Sequence, residues 1–285
     1  MMNKFIIWDL FGGGQNSVYH TVKEFNLPFE VFTFDITEPT RQQHIKQDLT
    51  VDNIIEVLAQ YPKPDIIVAS PLCQSFSQVL QMKGGGTCFW KKENGLLVER
   101  SIKEFETLKS GFTKYLKADK QLALKRLGEK CINNTLAIIE YFKPYFWYIE
   151  NPSHSLMWYY IMNNQQQWVF KNGPVYQNTT FYNNYGFIIQ KETIFLSNVD
   201  LHLKHEKINY KFDKEVINNV VYYKLDGVKQ SRSGLVKNLN KQFANNSKTT
   251  KDNKEADSRS AIPHNLLADI LTQFLQYLIY WKEII

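Results

Sequence analysis

Residues 65–78 read Asp65-Ile-Ile-Val-Ala-Ser-Pro-Leu-Cys-Gln-Ser-Phe-Ser-Gln78, and the fold assignment starts there. Ile66 to Ala69 is a short apolar run rich in β-branched residues, the pattern of a buried strand. Pro71 lacks the N–H that a ladder needs, so the strand ends at Ser70-Pro71. Cys73 follows on a loop of small and polar residues, Gln74, Ser75 and Ser77. In an open α/β sheet the carboxyl ends of strands are where ligands bind. A thiol placed there is a candidate nucleophile.

Toward the N-terminus, Lys4-Phe-Ile-Ile-Trp-Asp9 predicts a first buried strand, followed by Leu10-Phe-Gly-Gly-Gly-Gln15 and a helix over 17–25. Three glycines after a strand let the backbone turn tightly and approach a ligand, although many such turns only turn. A second strand over 29–34 ends in Asp35, an acid placed either to accept from ribose hydroxyls or to open a turn as a solvated group. Asp48 precedes a helix over 51–60. Capping that helix is the cheaper explanation for it, and a ligand contact the other.

Toward the C-terminus, Gly84-Gly-Gly86 reads as a hinge and Trp90-Lys-Lys92 mixes aromatic and basic residues. This segment is either a lid closing over a nucleic acid or a solvated insertion. A lysine-rich stretch to Leu124 is helical in pattern, and a helix is expected over 132–142. Tyr145-Phe-Trp-Tyr-Ile149 is a buried strand by content, stopping at Glu150-Asn151-Pro152. Residues 179–181 and 193–196 give a later strand pair around Tyr185-Gly186. Residues 199–258 are rich in Lys, Asn and Asp, and 238–257 carry too little apolar surface to order themselves. Pro263 then opens a terminal helix. Cys88 and Cys131 have no such loop setting and read as structural or incidental.

The totals narrow the class. At 285 residues with 44% apolar content, wholesale disorder is excluded, and one α/β domain carrying an insertion is expected. Three cysteines do not make a disulfide framework and point to a reducing compartment. Asp9 and the glycines break up any leader-like apolar run, and Asp269, Gln273 and Gln276 interrupt the apolar tail, so a soluble, cytoplasmic chain without membrane or metal partners is expected. The net charge of +6 favours a polyanionic partner only mildly.

The order of glycine turn, acid after strand two, Asp48, Pro-x-Cys loop and Glu-Asn-Pro resembles the C5-cytosine DNA methyltransferases, in particular compact phage-type members. Asp9-Leu-Phe-Gly-Gly-Gly14 resembles their turn for S-adenosylmethionine, Pro71-Leu-Cys-Gln-Ser-Phe-Ser77 their nucleophile loop, and Tyr148-Ile-Glu-Asn-Pro152 their Glu-Asn-Pro/Val motif. Tyr185-Gly186, Asn198 and Ser260-Ala-Ile-Pro263 sit where such proteins carry Tyr-Gly, Thr-Asn and Asn-x-Val-Pro.

The resemblance implies an α/β, Rossmann-like methyltransferase fold, a mixed, mostly parallel sheet with helices on both faces. It places a catalytic domain at 1–198 and 259–285 and a small recognition region at 199–258. It implies Cys73 and Glu150 as catalytic residues. For S-adenosylmethionine it implies Asp9, Phe11, Gly12, Gly14, Asp35, Asp48, Pro71 and Ser260. For the substrate it implies Ser75, Ser77, Asn151 and Lys191. The implied partner is double-stranded DNA, read by a monomer that could serve beside a cognate restriction endonuclease. The same chemistry on RNA and a binding-only relative are the alternatives. Two departures stand out. Leu72 replaces the proline before the cysteine, and Glu192 and Ile194 occupy positions where the family carries arginines, with Lys191 or Arg232 as candidate substitutes.

Overall fold

The computed structural model describes residues 4–77, 89–108, 116–187, 190–208, 213–217, 220–225, 228–230 and 261–284. The Gly84-Gly-Gly86 hinge, Cys88, Arg232, Ser260 and 238–257 lie outside them.

Four short apolar runs build the centre of the sheet. Strands β1 (Phe5–Leu10), β2 (Phe29–Asp35), β4 (Ile66–Ala69) and β7 (Phe146–Pro152), with the three-residue β3 (His44–Lys46), pair in parallel. Strands buried on both faces read as continuous apolar runs rather than alternating ones, and all four residues of β4 are buried. The full order is β3-β2-β1-β4-β7-β9-β8, with β8 at Tyr176–Phe181 and β9 at Glu192–Ser197. The chain order reverses between β1 and β4, the switch point at which open α/β sheets open a ligand crevice. The fold is the expected mixed, mostly parallel sheet flanked by helices.

The chain divides into two compact units. The first comprises 1–12, 28–178 and 194–201. Its helices are α2 (Ile54–Leu58), α3 (Ile102–Thr107), α4 (Ala118–Phe142), α5 (Leu156–Tyr159) and α6 (Gln166–Asn172). Trp8, Phe34, Ile67, Ile132, Ile139, Trp147 and Ile149 belong to its main core. Asn198 clamps the start of β7: its Oδ1 accepts from Trp147 N–H at 3.0 Å and its Nδ2 donates to the Tyr145 carbonyl at 2.9 Å. The second unit comprises 13–27, 179–193 and 202–285. There α1 (Ser17–Glu24) packs on the terminal helix α7 (His264–Ile284), which buries Leu267, Ile270, Leu271 and Phe274 at helical spacing. An antiparallel ribbon of β10 (Lys214–Ile217), β11 (Val220–Leu225) and β12 (Val228–Gln230) also belongs to it.

Several expectations are revised. The lysine-rich stretch is not one helix: β5 (Trp90–Glu93) and β6 (Leu96–Glu99) form a hairpin, closed by Asn94 at φ 49° and Gly95 at φ 79°. Both central residues of such a two-residue turn need positive φ, which Asn-Gly supplies cheaply. Trp90 is buried in the core, and Lys91 pairs with Glu93 and Glu104, so the tryptophan is a packing residue and neither a contact offered by a lid nor part of a solvated insertion. The helix expected at 132 begins at 118, and the strand expected to stop before Glu150 carries it instead. The helix expected over 51–60 is shorter. Among the described residues no helix is long and apolar enough to cross a membrane, and no cluster of His, Cys, Asp and Glu is arranged to hold a metal ion.

Candidate active site

The strand register aligns the candidate residues. Phe34, Leu10, Ala69 and Ile149 are partners across β2, β1, β4 and β7. One residue further along stand Asp35, Phe11, Ser70 and Glu150. The ladder continues into that row, because Phe11 N–H donates to the Phe34 carbonyl at 2.9 Å and Ser70 N–H to the Leu10 carbonyl at 3.1 Å. Four consecutive strand ends of the first unit thus carry Asp35, Phe11, Ser70 and Glu150 along a single edge, and the Cys73 loop leaves it at Ser70.

On the β1–β3 side, Phe11 holds φ +61° and Gly13 φ +60°. A left-handed phenylalanine costs energy and persists where the surroundings impose it. Gly12 has a different reason to lack a side chain: a Cβ there would lie 2.2 Å from Asp9 Oδ2 and 2.6 Å from Thr33 Cγ2. Asp9 is buried beneath the turn. Thr33 Oγ1 donates to it at 3.3 Å and accepts from Arg41 Nη2 at 2.6 Å, while Arg41 Nη1 donates to the Val31 carbonyl at 2.8 Å. Burial pushes the Asp9 carboxyl up to about 7, against the opposing pull of Arg41 and the Thr33 hydrogen bond. Asp35 Oδ1 accepts from Thr37 N–H at 2.9 Å. Asp48 is exposed, and its Oδ1 takes Thr50 N–H at 2.8 Å and Thr50 Oγ1–H at 2.6 Å. It closes a turn ahead of α2, whose own N-cap is Asn53. A cradle with a half-buried aromatic ring and strand-end carboxylates has the donor and acceptor set a nucleoside cofactor needs.

On the β4–β7 side, Cys73 is exposed and opens a single 3₁₀ turn, Gln74–Phe76. Its carbonyl accepts from Phe76 N–H at 3.1 Å. Glu150 is 5% exposed within β7. Next to it, Asn151 Nδ2 donates to the Pro71 carbonyl at 3.0 Å, so the strand that carries the acid holds the loop that carries the thiol. Asn151 Oδ1 and Ser75 Oγ are buried and meet no partner among the described residues. A buried unpaired acceptor at a strand end is a place where a ligand donor would be satisfied.

Helix α4 supports this loop from behind. Ser75, expected at the substrate, lies against Gly128, where a Cβ would sit 1.7 Å from Ser75 Oγ. Ser77 is half-buried just after the turn. The Leu72 amide, absent wherever proline holds that position, reaches the Cys131 sulfur. That contact draws the thiol down, but burial dominates and pushes it up to about 11. No signal of local composition marks Gly128 or Cys131 as neighbours of the loop.

In the second unit, Lys191 Nζ donates to Tyr182 Oη at 3.3 Å and lies 4.6 Å from the centroid of that ring. Glu192 faces His205 at 3.5 Å. Gly14 lies in open surroundings, where a Cβ would meet nothing within 4 Å. Tyr185 Oη donates to Asp269 at 2.9 Å and accepts from Lys204 N–H at 3.0 Å. In the first unit, Ile194 is 8% exposed and part of the core.

No protein-family model matches the sequence, and no curated protein matches it. Solved structures do. The Entamoeba histolytica methyltransferase EhMeth superposes with a TM-score of 0.56 at 10% identity, covering 96% of this chain and 99% of that one. The S. pombe Dnmt2 methyltransferase gives 0.43 at 12% identity over 69% of this chain and 51% of that one. A Spodoptera frugiperda DNMT2 mutant gives 0.43 at 14% identity over 72% and 54%. The chain spans about half the length of the two Dnmt2 structures. Its likeness to EhMeth, nearly end to end at this low identity, is a likeness of fold.

Proposed function

We propose that this chain is an S-adenosylmethionine-dependent cytosine C5-methyltransferase acting on a polynucleotide. The observation that carries the reading is that the loop bearing Cys73 leaves β4 beside the strand end bearing Glu150, and the Asn151–Pro71 hydrogen bond ties that loop to that strand. Cytosine C5 is a poor nucleophile until something adds at C6. The Cys73 thiolate forms a bond to C6, while Glu150 hydrogen-bonds N3 and the exocyclic amine and so stabilises the charge that develops on the ring. C5 becomes the nucleophile. Bound S-adenosylmethionine supplies the electrophilic methyl group. A base then takes the C5 proton, the C6–S bond breaks, and the electron pair returns to Cys73 as thiolate. A stacked base cannot reach a thiol in a loop, so the cytosine must leave the helix stack or come from a single strand.

Phe11, Gly12, Asp35, Asp48 and Pro71, with Asp9 beneath, hold the cofactor in this reading, and Gly14 and Ser260 are cofactor residues that the resemblance alone implies. Residues 199–258 contact the nucleic acid, the β10–β12 ribbon included. Double-stranded DNA is one substrate the chemistry fits and RNA the other, since the nucleophile loop does not read the sugar. A binding-only relative is favoured by one specific observation. Ile194 is core and Glu192 faces a histidine, so neither supplies the cation expected there, and Lys191 is engaged by Tyr182.

Matched DNA and RNA pools containing 5-fluorocytosine, incubated with the protein and S-adenosylmethionine, test the reading. Fluorine at C5 blocks the final elimination, so a working enzyme is trapped through Cys73 as a denaturation-resistant adduct visible by mass spectrometry. Whichever pool traps identifies the sugar. Folded, cofactor-bound protein that traps neither pool leaves the binding-only relative.

A further inference from the structure

Helix α4 packs against the 3₁₀ turn after Cys73, with Gly128 against Ser75 and Phe76, and carries Lys125 one turn earlier. Lys125 is 4% exposed, unusual for a lysine. Its ammonium lies 3.1 Å from Glu99 Oε2 and 2.6 Å from Glu129 Oε2, and 4.2 Å from the centroid of the Trp90 ring. Trp90 in turn stacks on Phe76 at 5.4 Å between centroids and 19° between planes. Phe76 is fully buried and closes the turn that Cys73 opens. Arg126 reaches Glu99 at 3.3 Å, and Tyr160 Oη reaches Glu129 at 3.4 Å and packs on both rings. Only the lysine is withdrawn from water, since the Glu99, Glu129 and Arg126 side chains stay 36%, 30% and 64% exposed, so the ion pairs themselves add modest stability. What the lysine does supply is a fixed geometry for Trp90, since a cation over an indole face favours one placement of the ring.

We infer that Lys125 is a positioning residue for Cys73. Its charge holds the plane of Trp90, Trp90 holds Phe76, and Phe76 holds the 3₁₀ turn that presents the thiol. The inference rests on the reading of Cys73 as nucleophile. Lys125 touches no reacting atom in this scheme, and the cofactor cradle at the ends of β1, β2 and β3 does not include it.

The test compares wild type with Lys125→Met and Lys125→Arg in three measurements: S-adenosylmethionine affinity, urea midpoint, and the rate of adduct formation with 5-fluorocytosine nucleic acid at saturating cofactor. Lys125→Met is expected to keep cofactor affinity within about twofold. Its adduct rate should fall by roughly tenfold to a hundredfold, the loss that accompanies an ångström-scale misplacement of a reacting group. Lys125→Arg is expected to recover most of that rate. A wild-type adduct rate in Lys125→Met overturns the inference, as does a loss of cofactor affinity parallel to the loss of rate, which would mark a general structural role. Should Lys125→Met not fold, Phe76→Leu decides instead, with the same fall expected and an unchanged rate overturning the inference. A wild type that forms no adduct defeats the nucleophile reading alone. The rate of Cys73 alkylation by iodoacetamide then tests Lys125 separately, with a severalfold change expected in Lys125→Met and an unchanged rate overturning the inference.

Discussion

Gly128 lies inside a continuous 25-residue helix, and replacing it with alanine separates helix propensity from loop placement. Alanine is better than glycine in a helix interior by about 1 kcal/mol. The new Cβ, however, would stand 1.7 Å from Ser75 Oγ and 2.6 Å from Ser75 Cβ. The hydroxyl can rotate away, but Ser75 Cβ cannot, and it falls 0.8 Å short of the 3.4 Å at which ordinary contact begins. Overpacking of this kind costs about 1–3 kcal/mol. The gain in propensity therefore offsets much of the clash, and Gly128→Ala should unfold within about 2 kcal/mol of wild type. The turn after Cys73 has to move, and adduct formation should fall roughly tenfold to a hundredfold. Adding Ser75→Gly removes both clashing atoms. A double-mutant cycle on adduct rate should then show strong coupling, the double variant being faster than the product of the single effects predicts. Additive effects, or a wild-type rate in Gly128→Ala, would refute the claim that α4 sets the thiol's position through Ser75.

Other predictions follow from the same geometry. Asp9 has a carboxyl raised from 3.8 to about 7, so the native state holds a proton that the unfolded chain releases, and stability falls as pH rises from about 4 to about 7. Asp9→Asn, which can still accept from Thr33, should flatten that dependence and gain stability above pH 7 on the order of a few kcal/mol. Urea midpoints at pH 5 and pH 8 measure it, and an unchanged slope between them counts against the buried acid. Asn151→Ala removes the bond to the Pro71 carbonyl and should cost about 1–3 kcal/mol together with much of the adduct rate. Loss of stability at full rate would show that the link is not used. Iodoacetamide at pH 8 should label the exposed Cys73 well before Cys131, whose thiol is pushed up to about 11. Peptide mapping reads the order, and equal labelling would contradict the burial of Cys131.

The sheet was largely legible in the sequence, because Ile66–Ala69, Phe29–Phe34 and Tyr145–Ile149 are short apolar runs ended by Pro, Asp or Glu, and those punctuations are local. The placement of Cys73 just past one strand and of Glu150 at the end of another followed from them. What escaped the sequence reading was set by tertiary contact. The Asn94-Gly95 turn carries the usual hairpin signal, but the lysines around it read as a solvated helix face. Lys125 gives no local cue to its burial, since its partners Glu99 and Trp90 lie on a different element. Asp48 reads in the sequence as the cap of α2, but the N-cap is Asn53, and Asp48 closes a turn onto Thr50 instead. The Leu72 backbone lies beside the Cys131 thiol of α4, a tertiary contact that nothing in the local sequence announces.

The row from Asp35 to Glu150 works as a ruler. It crosses three strand intervals, about 14 Å at the usual spacing between neighbouring strands, with Phe11 and Ser70 as its intermediate marks. Strand spacing is fixed by the backbone ladder and not by any side chain, so no point mutation can lengthen or shorten it. A slip of one residue in any strand would turn its side chains to the opposite face and take its mark off the scale. Variation in reach has to come from the loops that leave the edge, and the loop after Ser70 is the one whose length and stiffness would decide how far a donor held at one end stands from an acceptor held at the other.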